Sequence, residues 1–318
     1  MKFGLATVIV VASLSLSGPA RSETEDSELR APAVVVTGAR VEQAKEFVRE
    51  IVPGGGDRLK GLPRWHSELC TGVIGVPADQ GQFIADRISL RALEVGLPVG
   101  KPGCDTNLLI VISPEVDELL PRLVEEYREV FEAATDNSVE TPGKPGMRAF
   151  LESDRAVRWW QVVERFTADG MPLDGDAYNA PANNTFAGST PGGSGIGIRN
   201  APTVEAASAS RLRSNIRRQM SRIIVVVDAK QTAGLGIGAI SDYLALVSLA
   251  QIDPEADVSK YPSILRLFTQ ADDKPTGLTD WDRAFLSGLY RAAPNAVSRT
   301  MHISDIAGRM VRKDRTEE

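Results

Sequence analysis

Short apolar runs alternate along the chain with amphipathic segments, and this alternation predicts a protein of mixed α and β structure. Residues 69–76 and 107–112 are rich in aliphatic side chains and predict strands. Residues 41–51, 79–95 and 115–134 repeat apolar positions at helical spacing and predict amphipathic helices. The order strand, helix, strand favours parallel strands joined by right-handed crossovers.

Local signals at the ends of these segments refine the prediction. A β-branched run between Pro32 and Gly38 predicts an additional strand before the first helix. Gly96 is expected to cap the C-terminal end of the second helix. Ser113 and Pro114 have the character of a helix N-cap and of a first helical residue.

The second half of the chain contains strand and helix patterns around one unusual segment. Residues 168–203 are rich in Gly, Asn, Pro, Ser and Thr, which predicts a long surface loop of the kind that is usually functional or mobile. Thr279 as N-cap and Asp282 at the third helical position come close to a capping box. The other predictions are a mixed helix-or-strand pattern at 148–166, a strand at 222–228, and helices at 203–220, 238–252 and 278–291.

These elements predict a mixed α/β or α+β fold. We expect one composite domain or two closely packed halves, residues 31–135 and 148–310, joined by a linker at 136–147. Residues 23–31 are polar and acidic, which predicts a disordered N-terminal tail, and residues 311–318 predict a charged tail.

The N-terminal 22 residues have the pattern of a cleavable signal peptide. Lys2 precedes an apolar run, Gly4 to Leu16, and small residues stand at Ala20 and Ser22 before the predicted cleavage. The mature chain, starting at Glu23, is therefore predicted to be periplasmic or secreted, with an uncleaved interfacial anchor as the alternative. No later run reaches the roughly 20 apolar residues of a membrane helix, so we expect no integral membrane segment in the mature chain.

Charge and cysteine content narrow the class of protein. The formal net charge is −6, and removal of Lys2 and Arg21 with the signal peptide makes it −8. This acidic balance argues against binding to nucleic acid, which depends on Lys and Arg. Cys70 and Cys104 are the only cysteines, and in an oxidising compartment they predict a disulfide. Two separate buried thiols are the alternative.

Motifs that could carry chemistry are few. Gly234–Ala239 has the G-x-G-x-x-A form, but six residues separate it from the preceding strand, which favours a loop before a helix over a nucleotide site. No G-x-S-x-G elbow accompanies the two histidines, His66 and His302. Trp159 and Trp160 could form a stacking surface for a ligand near the long loop, or divide between core and partial exposure.

The segment from Ser221 to Tyr290 carries a family resemblance. Its strings RIIVVVDAKQTAGLGIGAISDYLALVSLAQIDPEA, YPSILRLF and LTDWDRAFLSGLY resemble a family of exported bacterial proteins of unknown function. That family is related in layout to zincin-type metalloproteases, in which a metal-binding helix precedes a turn like Pro262–Leu265 and a final helix like Leu278–Tyr290. Residues 65–165 are similar to the family's N-terminal half. The resemblance implies a zincin-like C-terminal half packed on an N-terminal αβ layer.

The chain departs from an active zincin at the metal ligands. Zincin catalysis needs H-E-x-x-H, two His one helical turn apart with a Glu beside the first. Overlay of the central helix puts Tyr243 and Val247 at the ligand positions and Asp253 near the third ligand of the longer motif. No His lies between His66 and His302. The resemblance therefore implies a degenerate scaffold with no metal, no cofactor and no catalytic residue.

Three functions are consistent with these observations. The sequence favours a non-catalytic binding or structural protein on the degenerate scaffold, with an envelope protein or peptide as its partner. The alternative is a cell-envelope hydrolase with a non-zinc site near Trp159, Trp160 and residues 168–203. A chaperone-like partner of an outer-membrane or secretion system is a third hypothesis.

Overall fold

The computed structural model describes most of the chain from the first helix onward. It covers residues 30–54, 61–131, 139–171, 213–269 and 273–312, with side chains from residue 38 and without that of residue 129. The predicted signal peptide, most of the acidic tail, residues 172–203 of the predicted loop and nearly all of the charged C-terminal tail lie outside the described residues.

The described residues form a mixed α+β structure around one five-stranded sheet. The strands are β1 (Thr71–Ile74), β2 (Leu108–Ser113), β3 (Val139–Glu140), β4 (Val157–Thr167) and β5 (Ile216–Asp228). The helices are α1 (Arg30–Ile51), α2 (Ala78–Glu94), α3 (Val116–Glu126), α4 (Arg128–Phe131), α5 (Gly143–Glu152), α6 (Ile237–Leu249), α7 (Asp280–Arg291) and α8 (Arg299–Val311), with a 3₁₀ helix at Ile264–Phe268.

The sheet takes strands from both predicted halves of the chain. Its order is β1-β2-β5-β4-β3. The pairs β1–β2 and β2–β5 are parallel, as the strand–helix alternation predicts, and β5–β4 and β4–β3 are antiparallel. β2 and β5, at the centre, pair from Leu108 with Ile223 to Ser113 with Asp228. One hydrogen-bonded sheet therefore joins residues 31–135 to residues 148–310.

Helices cover both faces of the sheet, which explains why residues 223–227 of β5 are apolar without alternation. Ile223, Val225 and Val227 face the larger core, which includes residues of α1, α2, α6, α7 and α8. Ile224 and Val226 face a smaller core that contains residues of α3, α4 and α5. Consecutive residues of this part of β5 therefore point into different cores, and both sets of side chains are buried.

Helix α6 is buried on nearly all of its sides. The charged residue Asp242, in its N-terminal half, is paired with two arginines of α2. Asp242, fully buried, accepts hydrogen bonds from Arg87 and Arg91 of α2 at 2.8–3.1 Å. The backbone N–H of Leu278 donates a further bond of 2.9 Å. Burial alone would raise the pKa of Asp242, but the bonds from Arg87 and Arg91 lower it to about 2. Gly277 is needed beside it, because a Cβ there would lie 2.7 Å from the Asp242 Oδ2.

The C-terminal end of α6 is satisfied by side chains from three other segments. A buried helix end leaves carbonyl groups that need donors. Gln161 Nε2 donates to the carbonyls of Val247 (2.9 Å) and Ala250 (3.1 Å), Trp65 Nε1 to Ser248 (2.7 Å), and the Tyr290 hydroxyl to Leu249 (2.9 Å). The sheet, the segment before β1 and α7 are therefore all attached to the same helix terminus.

Replacement of Gln161 by Met is expected to lower the free energy of unfolding by about 2–3 kcal/mol. The variant leaves two buried carbonyls without a donor while it keeps a side chain of similar volume. Urea-induced unfolding followed by circular dichroism measures the change. Tyr290→Phe, which removes one such donor, should cost about half as much, roughly 1–1.5 kcal/mol. Equal stability of Gln161→Met and wild type would contradict the assigned role of Gln161.

Three predictions from local pattern need correction. The run between Pro32 and Gly38 is part of α1 rather than a strand, and no described strand pairs with it. The predicted helix at 203–220 is wrong where the structure describes it, because residues 216–220 belong to β5 and pair with β4. The expected linker at 136–147 contains β3 and the beginning of α5. In each case long-range pairing or helix continuation outweighs local propensity.

Several local predictions are confirmed. Thr279 and Asp282 form a reciprocal capping box at the start of α7. Gly96 follows α2 with a φ of +79°, a left-handed conformation that suits Gly. Ser113 is not the N-cap itself; Glu115 occupies that position, and the Ser113 Oγ accepts a 3.1 Å bond from the Glu115 N–H.

The predicted disulfide between Cys70 and Cys104 is present. The two Cα atoms are 6.0 Å apart, and the residues precede β1 and β2 respectively. Neighbouring parallel strands start at the same edge of the sheet, so the bridge joins two points that the fold already brings together. Among the described helices, none has the length and apolar character needed to cross a bilayer.

Candidate ligand groove

A cleft of about 570 Å³ follows one side of β4. Its walls are α5, the strand β4 and the loop after α6. Its lining residues include Glu140, Ala149, Arg155, Arg158, Trp159, Gln161, Arg218, Asp253 and Glu255. We call this cleft the β4 groove.

The β4 groove lies along a strand edge that has few partners. β3 pairs only with Val163 and Glu164 of β4. Pro142, which has no backbone N–H, then directs the chain into α5. Within the parts of the chain that the structure describes, no strand lies beside β4 on this side from Val157 to Val162.

The hydrogen-bond pattern of β4 and β5 sets which backbone groups face the groove. The Asp228 N–H donates to the Ala156 carbonyl at 2.8 Å, so that pair is hydrogen-bonded across the two strands. In an antiparallel ladder such pairs alternate with pairs whose N–H and C=O groups point outward. The backbone groups of Val157, Trp159 and Gln161 are therefore directed away from β5, toward the groove.

Ion pairs stand at both ends of the β4 groove. At one end, Arg155 of the segment before β4 pairs with Glu255 of the loop after α6. At the other end, Glu140 accepts bonds from Arg165 at 2.6 Å and from Arg218 at 2.7 Å. The ends are thus polar, and both signs of charge are present.

Arg158 adds a buried cation to the wall of the groove. Its guanidinium donates to Asp117 at 2.8 Å and to the Leu151 carbonyl at 3.0 Å. Its Nε is buried and has no hydrogen-bond partner among the described residues. Arg158 therefore holds α3 and α5 against β4 and keeps one donor unused.

The two adjacent tryptophans, for which the sequence left a stacking surface and a division between core and partial exposure open, point to opposite faces of the sheet. Trp159 is 8% exposed, belongs to the larger core and lines the β4 groove. Trp160 is 1% exposed and packs on the opposite face, with its ring 5.5 Å from Phe131 and 6.1 Å from Phe150. Consecutive strand residues point to opposite faces, so only Trp159 is available to the groove.

Of the three positions that the zincin overlay singles out, two belong to the larger core and the third lines the β4 groove. Val247 is fully buried, and Tyr243 packs edge-on against Phe268 with ring centroids 4.9 Å apart. Burial raises the pKa of the Tyr243 hydroxyl. Asp253 lines the β4 groove, where its Oδ1 accepts a 2.9 Å bond from the Glu255 N–H. Among the described residues, no group of three or more His, Cys, Asp or Glu is arranged to hold a metal ion.

Neither histidine lines the β4 groove. His302 is fully buried, and its Nδ1 accepts a 2.9 Å bond from the Leu62 N–H, while its Nε2 has no partner among the described residues. Burial, with a smaller contribution from Arg64, lowers the pKa of His302 to about 4. Burial, with a smaller contribution from Arg64, also lowers the pKa of His66 to about 4.

Acidification is expected to destabilise the protein between pH 6.5 and pH 4. The folded-state pKa of His302 lies below its ordinary value of 6.5, so the unfolded chain takes up the proton first as the pH falls. Stability from this group is complete above pH 6.5 and decreases by about 2–3 kcal/mol by pH 4. Urea unfolding at a series of pH values measures the decrease.

His302→Asn is the control for this pH dependence. Its amide oxygen can accept the bond from Leu62 but does not titrate. The variant should lose less stability than wild type over the same pH interval, and His66 should account for much of what remains. Parallel pH profiles for variant and wild type would exclude His302 as the source.

Most residues of this site carry no signal in the local sequence pattern. Gln161 stands between apolar residues in a strand, and only its burial would have suggested a partner. Arg155 and Glu255 are 100 residues apart. The single local indication was Pro142, which predicts the end of a strand.

No protein-family model matches the chain, and neither a curated protein nor a solved structure matches it. We therefore infer function from the geometry of the β4 groove.

Proposed function

We propose that this protein is a non-catalytic binding protein of the cell envelope that holds an extended peptide in the β4 groove. The observation that carries the proposal is the strand edge from Val157 to Val162, which lies inside a cleft and has no neighbouring strand among the described residues. An extended peptide can add itself to such an edge as a further strand, with main-chain hydrogen bonds for affinity and side-chain pockets for specificity.

The dimensions of the groove support a peptide of about six residues. At about 3.3 Å per residue, the free edge of β4 is roughly 20 Å long. The outward-facing backbone groups of Val157, Trp159 and Gln161 recur every second residue, which is the repeat that a paired strand requires. A bound peptide would then place alternate side chains toward Trp159 and toward α5.

The polar ends of the groove support a preference for charged residues at the peptide termini. Arg155 and Glu255 stand at one end, and Glu140 and Arg218 at the other. Each is already paired, so these groups can orient a charged ligand by exchanging partners but contribute little net affinity. Trp159 contributes apolar surface between them.

The proposed scaffold is zincin-like without metal ligands. The order of the elements supports this scaffold, because the turn at Pro262–Leu265 comes before helix α7. Asp282 holds the turn and the helix together. The buried carboxylate of Asp282 accepts bonds from the Ser263 hydroxyl at 2.6 Å and from the Ile264 N–H at 2.8 Å. In α6, the positions of Tyr243 and Val247 contribute packing instead of coordination.

A chelator is expected to change neither the melting temperature nor peptide binding. The central helix offers no imidazole to a metal ion, and a catalytic zinc site needs three protein ligands. Thermal unfolding of the purified mature protein, with and without EDTA, measures the effect. Elemental analysis that found one zinc per chain would overturn the proposal of a metal-free scaffold.

We also propose that residues 1–22 direct export and are removed. The disulfide between Cys70 and Cys104 supports an oxidising compartment. N-terminal sequencing of the protein recovered from the periplasm or medium tests this, with Glu23 as the expected first residue.

Selection of random peptides displayed on phage, with the mature protein as bait, tests the binding proposal. A selected peptide is then labelled, and its affinity is measured by fluorescence polarisation. Ala149→Trp fills the groove from α5 and is expected to weaken binding at least about tenfold, which corresponds to about 1.4 kcal/mol. Arg148→Trp places the same side chain one position away, outside the groove lining, and should leave the affinity within about twofold.

N-methylation of alternate peptide bonds tests the strand-like binding mode. Methyl groups on the bonds that face β4 should abolish binding, while methyl groups on the other bonds should be tolerated. Selected peptides that bind Ala149→Trp as well as wild type would show that the groove is not the site. Mass spectrometry of the recovered peptide would reveal cleavage, which would favour the cell-envelope hydrolase instead.

A further inference from the structure

A second cleft, of about 730 Å³, lies between α1, α7 and α8. It shares no lining residue with the β4 groove. Its charged lining residues are Arg40, Asp280, Arg291, Arg309 and Arg312, and its apolar ones are Ala44, Trp281, Ala284, Met310 and Val311. We call it the helical cleft.

The charge of the helical cleft is opposite to that of the chain. The sequence has 42 acidic and 36 basic residues, yet four arginines and a single carboxylate line this cleft. Asp305, close by, pairs with Arg309 at 2.9 Å. Arg40 and Arg312 are exposed, and neither takes part in an ion pair among the described residues. The cleft therefore keeps a positive excess after its internal pairing.

Helix capping explains only part of this cluster. Arg291 and Arg309 occupy the last turns of α7 and α8, where cations interact favourably with the helix carbonyls. Arg40 stands in the interior of α1, more than two turns from its end at Ile51, so no helix terminus accounts for its position. Arg312, which directly follows α8, lines the same cleft, so cations from two separate elements line it.

The floor of the helical cleft is apolar and contains an indole. Trp281 is half-buried, with its ring 5.3 Å from that of Phe47 and 6.2 Å from that of Tyr261. These contacts hold the ring in place beside the small side chains of Ala44 and Ala284. A ligand that suits this cleft has an anionic group for the arginines and an apolar part for the floor.

We infer that the helical cleft binds the headgroup of an anionic phospholipid at a membrane surface. Guanidinium groups bind phosphate through paired hydrogen bonds, and arginines near a surface are attracted to anionic lipid. Indole rings are typical of the boundary between headgroups and acyl chains. A free phosphate ion would use the arginines alone, whereas the lipid also covers the apolar floor around Trp281.

Vesicles of phosphatidylcholine, with and without phosphatidylglycerol, test this inference with the mature protein. We expect cosedimentation only with the anionic vesicles, and a decrease in binding at high salt, since salt screens exposed charges. Arg40→Gln combined with Arg312→Gln should weaken vesicle binding about tenfold or more. Arg122→Gln combined with Arg128→Gln removes the same charge from exposed positions of α3 and α4, and should change binding by less than about twofold.

Vesicles that contain brominated phosphatidylglycerol test whether the lipid contacts Trp281. The brominated lipid should quench a part of the tryptophan fluorescence in wild type, and that part should be absent in Trp281→Phe, because the other tryptophans do not line the cleft. Equal loss of vesicle binding in both arginine pairs would overturn the inference, since net charge alone would then be responsible. Saturable binding of glycerol 3-phosphate that prevents vesicle binding would also overturn it, in favour of a soluble phosphate ligand.

Discussion

Asp242→Asn is expected to lower the free energy of unfolding by about 3–5 kcal/mol, the largest effect of any single substitution considered for this chain. The substitution removes the carboxylate that Arg87 and Arg91 share, and it leaves the guanidinium of Arg91, which is 5% exposed, with its ion pair to Glu94 alone. It also weakens the bond from the Leu278 N–H that attaches the start of α7 to α6. Urea unfolding of wild type and variant at pH 7 measures the difference.

Asp86→Asn is the matched control for this substitution. Asp86 lies on α2, one residue before Arg87, and is exposed. Its replacement should change stability by less than about 0.5 kcal/mol. The lowered pKa of Asp242, about 2, means that its contribution is present above pH 3.8 and is lost only as the pH falls through 2. If Asp242→Asn lowered the free energy of unfolding at pH 7 by less than about 1 kcal/mol, the ion pairs of Asp242 would contribute little to stability.

Removal of the disulfide is expected to lower the free energy of unfolding by about 4 kcal/mol. Cys70 and Cys104 are 34 residues apart, and a closed loop of that length restricts the unfolded chain by roughly this amount. The double variant Cys70→Ser, Cys104→Ser leaves the native packing of β1 and β2 in place, because their parallel pairing does not depend on the bridge. Guanidinium unfolding of the variant and of oxidised wild type measures the change.

Wild type in the presence of reductant is the control for the serine variant. Both lack the cross-link, so both should unfold at the same denaturant concentration, below that of the oxidised protein. The slope of the transition should be steeper without the bridge, since the unfolded chain exposes more surface. A reduced wild type as stable as the oxidised one would show that the cross-link does not limit the unfolded state.

Much of the central fold follows from local pattern. The apolar run of 222–228 is a strand buried on both faces, and the apolar segment 238–252 contains the buried helix α6, because each has no polar face to expose to water. Thr279 and Asp282 form their capping box within four residues of sequence. Such signals depend on neighbours along the chain, so they can be read without knowledge of distant contacts.

The candidate site depends on contacts that local pattern does not contain. The polar residues 216–221 extend β5 only because β4 is beside them, and the same pairing turns Trp159 and Trp160 to opposite faces. The groove exists because β3 stops after Glu140, and no other strand of the described residues lies beside β4 from Val157 to Val162. None of these facts is visible in a window of neighbouring residues, because each is set by which strand pairs with which.

The sequence by itself determined the class of structure, the pairing of the two cysteines and the absence of imidazoles from the central helix, since these depend on composition and local periodicity. Only the tertiary structure decided where the charged clusters lie and which edge of β4 has no neighbouring strand among the described residues. Asp242 reaches Arg87 across 155 residues, and Arg40 lines a cleft with Arg312. Partners so distant in sequence are brought together by packing of the cores, and residue type alone does not specify them.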